Sequence, residues 1–226
     1  MLVLALDTTT KGGSCAIARD GVVLRERPGD GTRVPDTRLP GDLMMLLDET
    51  GIALREIDVF AVATGPGSFT GLRVGIATMQ GVAFAEGKPL IGVSAFDALA
   101  RVAHGSARVA TWIEAWRGEV YAALYEDGLE TQPPTIAAPA VLLARLRGTR
   151  TRFIGEAAGA HRDLILAALG TDAEIGDPVA PLLAGTMARV ATEMADAGHR
   201  PAPHSIRPLY VRRPDAEHAR DPRPVG

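Results

Sequence analysis

The sequence predicts an α/β protein built from two similar halves, each a β-meander followed by helices and further strands. Two Asp-Gly pairs, Asp20-Gly21 and Asp127-Gly128, each lie between runs of strand length. Such a pair accepts the positive φ angles of a two-residue hairpin, so each marks a pair of antiparallel neighbours. Apolar runs alternate with stretches of helical periodicity, and the order of elements that closes near residue 104 begins again at Arg108. The chain is therefore divided at 1–104 and 105–200.

In the first half, Leu2 to Leu6 reads as a buried strand, Asp7 to Gly13 as a loop, Ser14 to Arg19 as the second strand and Val22 to Arg25 as the third. A polar stretch rich in Gly, Pro and Asp (28–37) precedes a helix from about Pro40 to Thr50, with Gly51 at the C-terminal stop. A strand over 57–63, a glycine loop, a helix over about 70–86 and a strand over 89–93 follow. Ser94, with Asp97 three residues on, reads as a capping box opening a helix over 95–103. The second half offers strands over 109–114 and 119–125, helices over about 139–147 and 159–169, and a strand near Phe153 between them. A helix over about 182–197 then leads to a short strand near Leu209, within a segment (205–213) that can return to the first half. Residues 214–226 are charged and proline-rich and are expected to fray.

With 46% hydrophobic and 23% charged residues over 226 positions, the chain has the makings of a packed core. A net charge of -3 gives no overall basic field, so any RNA is expected to be held through a partner. The single Cys15 excludes an internal disulfide framework. The N-terminus lacks the basic n-region and apolar run of a signal peptide, and no stretch approaches the ~20 apolar residues of a membrane span. A cytoplasmic protein is expected.

The most informative segment is Gly65-Pro-Gly-Ser-Phe-Thr-Gly-Leu-Arg-Val-Gly75. Strand, glycine loop and helix together can expose amides at a helix N-terminus to an anion. Asp7, Thr8, Thr9, Gly65, Gly67 and Ser68 are thus candidate nucleotide- or phosphate-facing residues. The same glycines equally suit a tight turn and a helix packed closely on a sheet, and Asp7 equally suits bonding the amides of its own turn. A dinucleotide fingerprint needs a third glycine where Thr70 stands, and a P-loop needs Lys then Ser or Thr where Leu72 and Arg73 stand.

Two facing β-meander-plus-helix halves are the plan of the actin/hexokinase/Hsp70-like (ASKHA) superfamily, in which a nucleotide lies between halves. More specifically, Asp7-Thr-Thr9, the 65–75 segment, Pro89-Leu-Ile-Gly-Val-Ser94, Gly118-Glu-Val-Tyr121 and Pro208-Leu-Tyr-Val-Arg212 together resemble the TsaB (YeaZ) family across nearly the whole chain. The resemblance implies a non-catalytic subunit. It pairs with its paralogue TsaD, works with the ATPase TsaE, and serves N6-threonylcarbamoylation of the adenosine beside the anticodon in tRNAs reading ANN codons. It further implies ATP or ADP and metal on the partner subunits, and tRNA reached only through the complex. The chain departs from the family at Pro35 to Pro40, where a His-Ser-containing stretch is usual, and at Glu114-Ala115-Trp116, where Asp-Ala-Arg is usual.

Chemistry by the chain alone finds little support. Aligned on the shared Gly-Pro-Gly and Pro-Leu-Ile-Gly-Val stretches, the two metal-binding histidines of TsaD-like enzymes fall on Ala95 and Leu99, which cannot ligate a metal. His104, His161, His199, His204 and His218 show no ligand spacing on one element, so no metal site is expected. Trp116 and Arg117 fill the turn where a second phosphate loop needs small residues, which weighs against an independent ATP-dependent kinase or hydrolase of the actin-like superfamily. Ser68 lies outside a Gly-x-Ser-x-Gly elbow, and Glu114 and Glu119 read as ordinary solvated carboxylates. No catalytic residue is assigned.

What remains is a surface. Leu39, Leu43, Leu46 and Leu47 form one stripe of the first long helix, with Met44 and Met45 on other faces. Leu72, Ile76, Met79 and Ala83, with Gln80 beside them, repeat the pattern on the second. Helices apolar on most of their circumference are either buried on both sides or docked to a partner. The expectation is a partner interface of about 800 Å² per side, which can also close a homodimer when the chain is alone.

Overall fold

The computed structural model describes residues 1–32 and 35–211. The first sheet contains β1 (Leu2–Asp7), β2 (Ser14–Arg19), β3 (Val22–Pro28), β4 (Val59–Gly65) and β5 (Leu90–Ser94), in the order β3-β2-β1-β4-β5. The second contains β6 (Arg108–Glu114), β7 (Val120–Glu126), β8 (Leu129–Ala137), β9 (Thr151–Ile154) and β10 (Ala173–Ile175), in the order β10-β9-β6-β7-β8. Each sheet pairs its first three strands antiparallel and adds the last two in parallel. The match is strand for strand, so the chain carries the duplicated ASKHA-like α/β fold. Both Asp-Gly turns have the positive φ that their hairpins require, 50° and 76° at the first and 49° and 80° at the second.

The helices follow the same repeat. In the first half α1 (Pro35–Thr50) joins β3 to β4, α2 (Phe69–Ala85) joins β4 to β5, and α3 (Ala95–Val102) follows β5. In the second, α4 (Pro139–Leu146) joins β8 to β9, α5 (Glu156–Ala160) and α6 (Arg162–Leu169) join β9 to β10, and α7 (Ala184–Asp196) follows.

Alternation along the strands sorts the core into layers. Val3, Ala5, Ala16, Ala18, Val59, Ala61 and Ala63 face inward with α3, α7 and the inner face of the second sheet. Leu4, Leu6, Ile17, Phe60 and Val62 face outward under α1 and α2. Trp112, Phe153 and Leu124 lie with α4, α5 and α6 on the far side of the second sheet. The inner faces are rich in alanine, which lets helices approach closely, and the two closing helices are exchanged. α7 lies across all five strands of the first sheet, and α3 reaches β6 and β7 of the second while touching β4 and β5.

Several boundaries differ from expectation for identifiable reasons. α1 starts at Pro35 and contains Pro40, so the proline at the first helical position is Pro35, and Pro40 interrupts the ladder a turn later. The helix expected over 159–169 is two helices, broken at His161, because Ala157 and Ala158 begin a separate turn buried against the second sheet. β10 escaped notice because it is a three-residue edge strand, Ala-Glu-Ile. Ser94 caps α3 by accepting the Phe96 N–H, but Asp97 accepts the Tyr125 hydroxyl at 2.6 Å. Among the described residues no strand forms near Leu209. A 3-10 turn over Pro203–Ser205 leads into an extended run tied to β4 by the Leu209 N–H to the Thr64 carbonyl, at 2.7 Å. The expectation for 214–226, and the end of that for 205–213, fall outside the described residues.

Candidate functional site

Asp7 ends β1, and its neighbours Thr8 and Thr9 open the β1–β2 loop against the start of α2. The Asp7 carboxylate is 2% exposed and accepts both the Thr9 N–H, at 2.8 Å, and the Thr9 hydroxyl, at 2.7 Å. The Thr9 carbonyl accepts the Ser68 N–H at 2.7 Å. The glycines of the 65–75 segment explain how the two loops come so close. A Cβ on Gly67 would stand 2.5 Å from the Thr9 carbonyl oxygen, one on Gly71 2.3 Å from the Thr8 carbonyl oxygen, and one on Gly75 2.2 Å from the Thr8 hydroxyl. Gly71 and Gly75 lie one turn apart on α2 and Gly67 precedes its cap, so a side-chain-free edge of the loop and helix lies along Thr8 and Thr9. Ser68 caps α2 by accepting the Gly71 N–H at 3.2 Å. The structure thus brings Asp7, Thr8, Thr9, Gly67 and Ser68 together, but packs them against one another, while Gly65 lies against Leu72 and Leu209. Of the two readings of this segment, close helix packing is the one the contacts describe.

The equivalent corner of the second half is carboxylate-rich. The Glu114 carboxylate accepts the Trp116 N–H at 2.9 Å, and Glu156 at the start of α5 accepts the Glu114 N–H at 3.4 Å. Trp116, Arg117 and Gly118 all take positive φ (62°, 58° and 75°), which leaves the Trp116 indole 71% exposed at the tip of the β6–β7 turn. Burial raises the Asp7, Glu26 and Glu156 carboxyls above their ordinary range, and the charge of Asp7 adds to the shift of the other two. Glu26 is held by the Gly185 N–H of α7 at 2.7 Å. Asp7 thus opposes ionisation of both Glu26 and Glu156, and the accumulated negative charge is unfavourable to a bare phosphate. Among the described residues no group of three or more His, Cys, Asp or Glu side chains could hold a metal ion.

The expected interface residues need correction. Leu39, Leu43, Leu46, Leu47, Leu72, Ile76, Met79 and Ala83 are buried in the chain's own core, filling the layer between the first sheet and the α1–α2 pair. They cannot meet a partner in this structure. Gln80 is half-buried and occupied, since its side-chain amide donates to the carbonyls of Pro203 and Ile206 at 2.9 and 3.2 Å. Of the residues expected at the interface only Met44 faces outward, at 56% exposure. The outer surface of the same two helices instead presents Met44, Met45, Ala77, Gly81 and Phe84, the last 81% exposed. The apolar circumference was the right signal. The stripe with the most leucines marked the inward side.

A model of the TsaD family, described as tRNA N6-adenosine threonylcarbamoyltransferase, matches residues 37–219. An uncharacterized protein of Mycobacterium tuberculosis is 36% identical over 222 residues, covering 95% of this chain and 93% of that protein. The Bacillus subtilis tRNA threonylcarbamoyladenosine biosynthesis protein TsaB is 28% identical over 185 residues, covering 78% of this chain and 80% of that protein. The solved structure of YeaZ from Pseudomonas aeruginosa superposes with a TM-score of 0.76 at 27% identity, covering 93% of this chain and 100% of that one. A second Pseudomonas aeruginosa structure, at TM-score 0.77 and 28% identity over 93% of this chain and 99% of that one, is described by similarity to peptidase YeaZ. In the present chain, however, Ser68 Oγ is used as a helix cap. The shared model, the strand-for-strand duplication and the glycine edge of α2 lead to one conclusion: the chain belongs to the TsaB/YeaZ family.

Proposed function

We propose that this chain is a non-catalytic subunit that supports N6-threonylcarbamoylation of the adenosine beside the anticodon in tRNAs reading ANN codons. It docks a TsaD-like paralogue through the outer surface of α1 and of the C-terminal half of α2, and works with a TsaE-like ATPase. The observation that carries this reading is the filled corner at Asp7. The β1–β2 loop and the glycine segment occupy each other, with Gly67 in contact with Thr9, where independent phosphate chemistry would need open amides. The related protein from Bacillus subtilis is named for threonylcarbamoyladenosine biosynthesis, which supports the tRNA-modification role. ATP or ADP and metal then belong to the partner subunits, and the same outer surface can pair two copies when the chain is alone.

The exposed Met44, Met45 and Phe84 supply the flexible thioethers and aromatic ring common at such surfaces, while Ala77 and Gly81 let a second helix come close. Reconstitution with the two partners tests the reading. A Phe84→Asp plus Met44→Asp chain, folded and monomeric, is expected to lose partner binding and to leave tRNA unmodified. Full modification by that variant would overturn the scaffold role. Magnesium-dependent micromolar ATP binding with turnover by the isolated chain would favour the kinase or hydrolase instead.

A further inference from the structure

The net charge of -3 hides a marked segregation. From Val59 to Ala85 the sequence has no Asp or Glu, and from Ala197 to Val211 it again has none. The fold lays these two stretches side by side. Gln80 of α2 holds the carbonyls of Pro203 and Ile206, and the Leu209 N–H bonds the end of β4. The formal charges these two stretches carry, Arg73, Arg200 and Arg207, are all positive.

At one end of the paired stretches is a built cluster. The Arg73 guanidinium lies 3.8 Å above the Phe69 ring, and its Nε donates to the Tyr210 hydroxyl at 3.1 Å. The Phe69 and Tyr210 rings are 5.6 Å apart at 36°. Both rings keep part of their surface in solvent, 43% for Phe69 and 39% for Tyr210. Among the described residues no carboxylate pairs with Arg73, whereas Arg25, Arg101 and Arg152 are each paired with a glutamate. Stacking and the Nε bond fix the guanidinium plane and leave its two terminal nitrogens for a ligand. A planar, pre-oriented guanidinium fits a phosphate through two parallel hydrogen bonds, and half-exposed rings beside it suit an unstacked base. Arg207, three residues before Tyr210, is held by the carbonyls of His204 and Ile206 and extends the positive strip.

We infer that Phe69, Arg73, Arg207 and Tyr210 form an RNA-contacting strip that grips the phosphate backbone and one unstacked base of a tRNA loop in the assembled complex. The inference rests on the tRNA-modification reading and deepens it. With so few cations the strip is too weak to hold RNA alone, consistent with the whole-chain charge, but it adds to what partners supply.

The test is titration of tRNA against the complex of this chain with its TsaD-like and TsaE-like partners, across roughly 50 to 200 mM salt. Arg73→Gln is expected to weaken binding about tenfold and to lower the slope of log affinity against log salt by about one, and adding Arg207→Gln by about two. Phe69→Leu is expected to weaken binding about tenfold with the slope unchanged, the signature of lost stacking. Arg73→Lys, which keeps the charge, should restore the slope without the full affinity. Unchanged affinity and slope in an assembled Arg73→Gln complex would overturn the inference. So would loss of assembly by that variant, which would show that the strip faces a partner's carboxylates. If the complex with the unaltered chain neither binds nor modifies tRNA, the tRNA-modification reading itself fails, and that is distinguishable from both results.

Discussion

Replacing Met79 by alanine and, separately, Met44 by aspartate distinguishes the inner and outer sides of the α1–α2 layer. Met79 is fully buried among Leu39, Leu46, Ile76 and the outward side chains of the first sheet. Shortening a fully enclosed methionine to alanine removes its transfer free energy and leaves a cavity, together about 2 to 5 kcal/mol. Taking about 3 kcal/mol, and about 2 to 4 °C per kcal/mol for a chain of this size, the melting temperature should fall by roughly 6 to 12 °C. Met44 is 56% exposed on the opposite side of its helix. Aspartate there loses some helix propensity and little else, so the change should stay below about 1 kcal/mol, or about 4 °C. Thermal unfolding followed by circular dichroism reads both, and capture of the TsaD-like partner by each variant separates stability from docking. Met44→Asp should weaken capture with a nearly unchanged melt. A Met79→Ala chain that melts normally yet fails to bind the partner would show that α2 is turned the other way, and the layer assignment would be refuted.

Burial holds Asp7, Glu26 and Glu156 above the usual carboxylate range, so the folded chain binds protons more readily than the unfolded chain and loses stability as pH rises from the ordinary carboxylate values through the raised ones. Asp7→Asn, which keeps an acceptor for Thr9, should therefore raise the melting temperature at neutral pH and flatten its pH profile; a lower melting temperature at pH 7 would contradict the sign. Gly155 has φ +114°, and a Cβ there would stand 2.0 Å from the Trp112 carbonyl oxygen. Gly155→Ala should destabilise by at least about 2 kcal/mol, read by urea unfolding. Burial pushes the Cys15 thiol up to about 11, so a thiol reagent at pH 8 should label it only after denaturation. Gln80→Ala removes both side-chain ties to the 203–206 segment, and limited proteolysis should then cut within 199–211 sooner than in the unaltered chain.

Much of the fold was legible because local rules and the global plan agree. The Asp-Gly turns, period-two strands and Gly51 stop each fix a local feature, and their repetition exposes the duplication before any contact is known. What escaped was set by tertiary packing. The break at His161 reflects burial of Ala157 and Ala158 rather than any breaker residue, and β10 exists because β9 offers an edge to pair with. The functional surface was legible only in outline. Apolar content all round α1 and α2 was visible, but periodicity cannot say which side meets the sheet, and the leucine-rich stripe took the larger hydrophobic driving force inward. The glycine segment left two readings open. Its four-residue recurrence at 67, 71 and 75, a signal present in the sequence, marks the edge against which Thr8 and Thr9 lie. Charge segregation was likewise hidden by averaging over the whole chain.

The exchange of the two closing helices bears on how the molecule is made. During synthesis from the N-terminus, the strands through β5 are complete long before α7 emerges, yet α7 is what covers their alanine-rich inner face. Until about residue 196 has left the ribosome, that face lacks its main cover and is partly open to water and to other nascent chains. Consolidation of the first half thus waits for the C-terminal part of the chain. Fragments ending before α7 should depend on chaperones, and supplying the missing portion in trans is the direct way to rescue them.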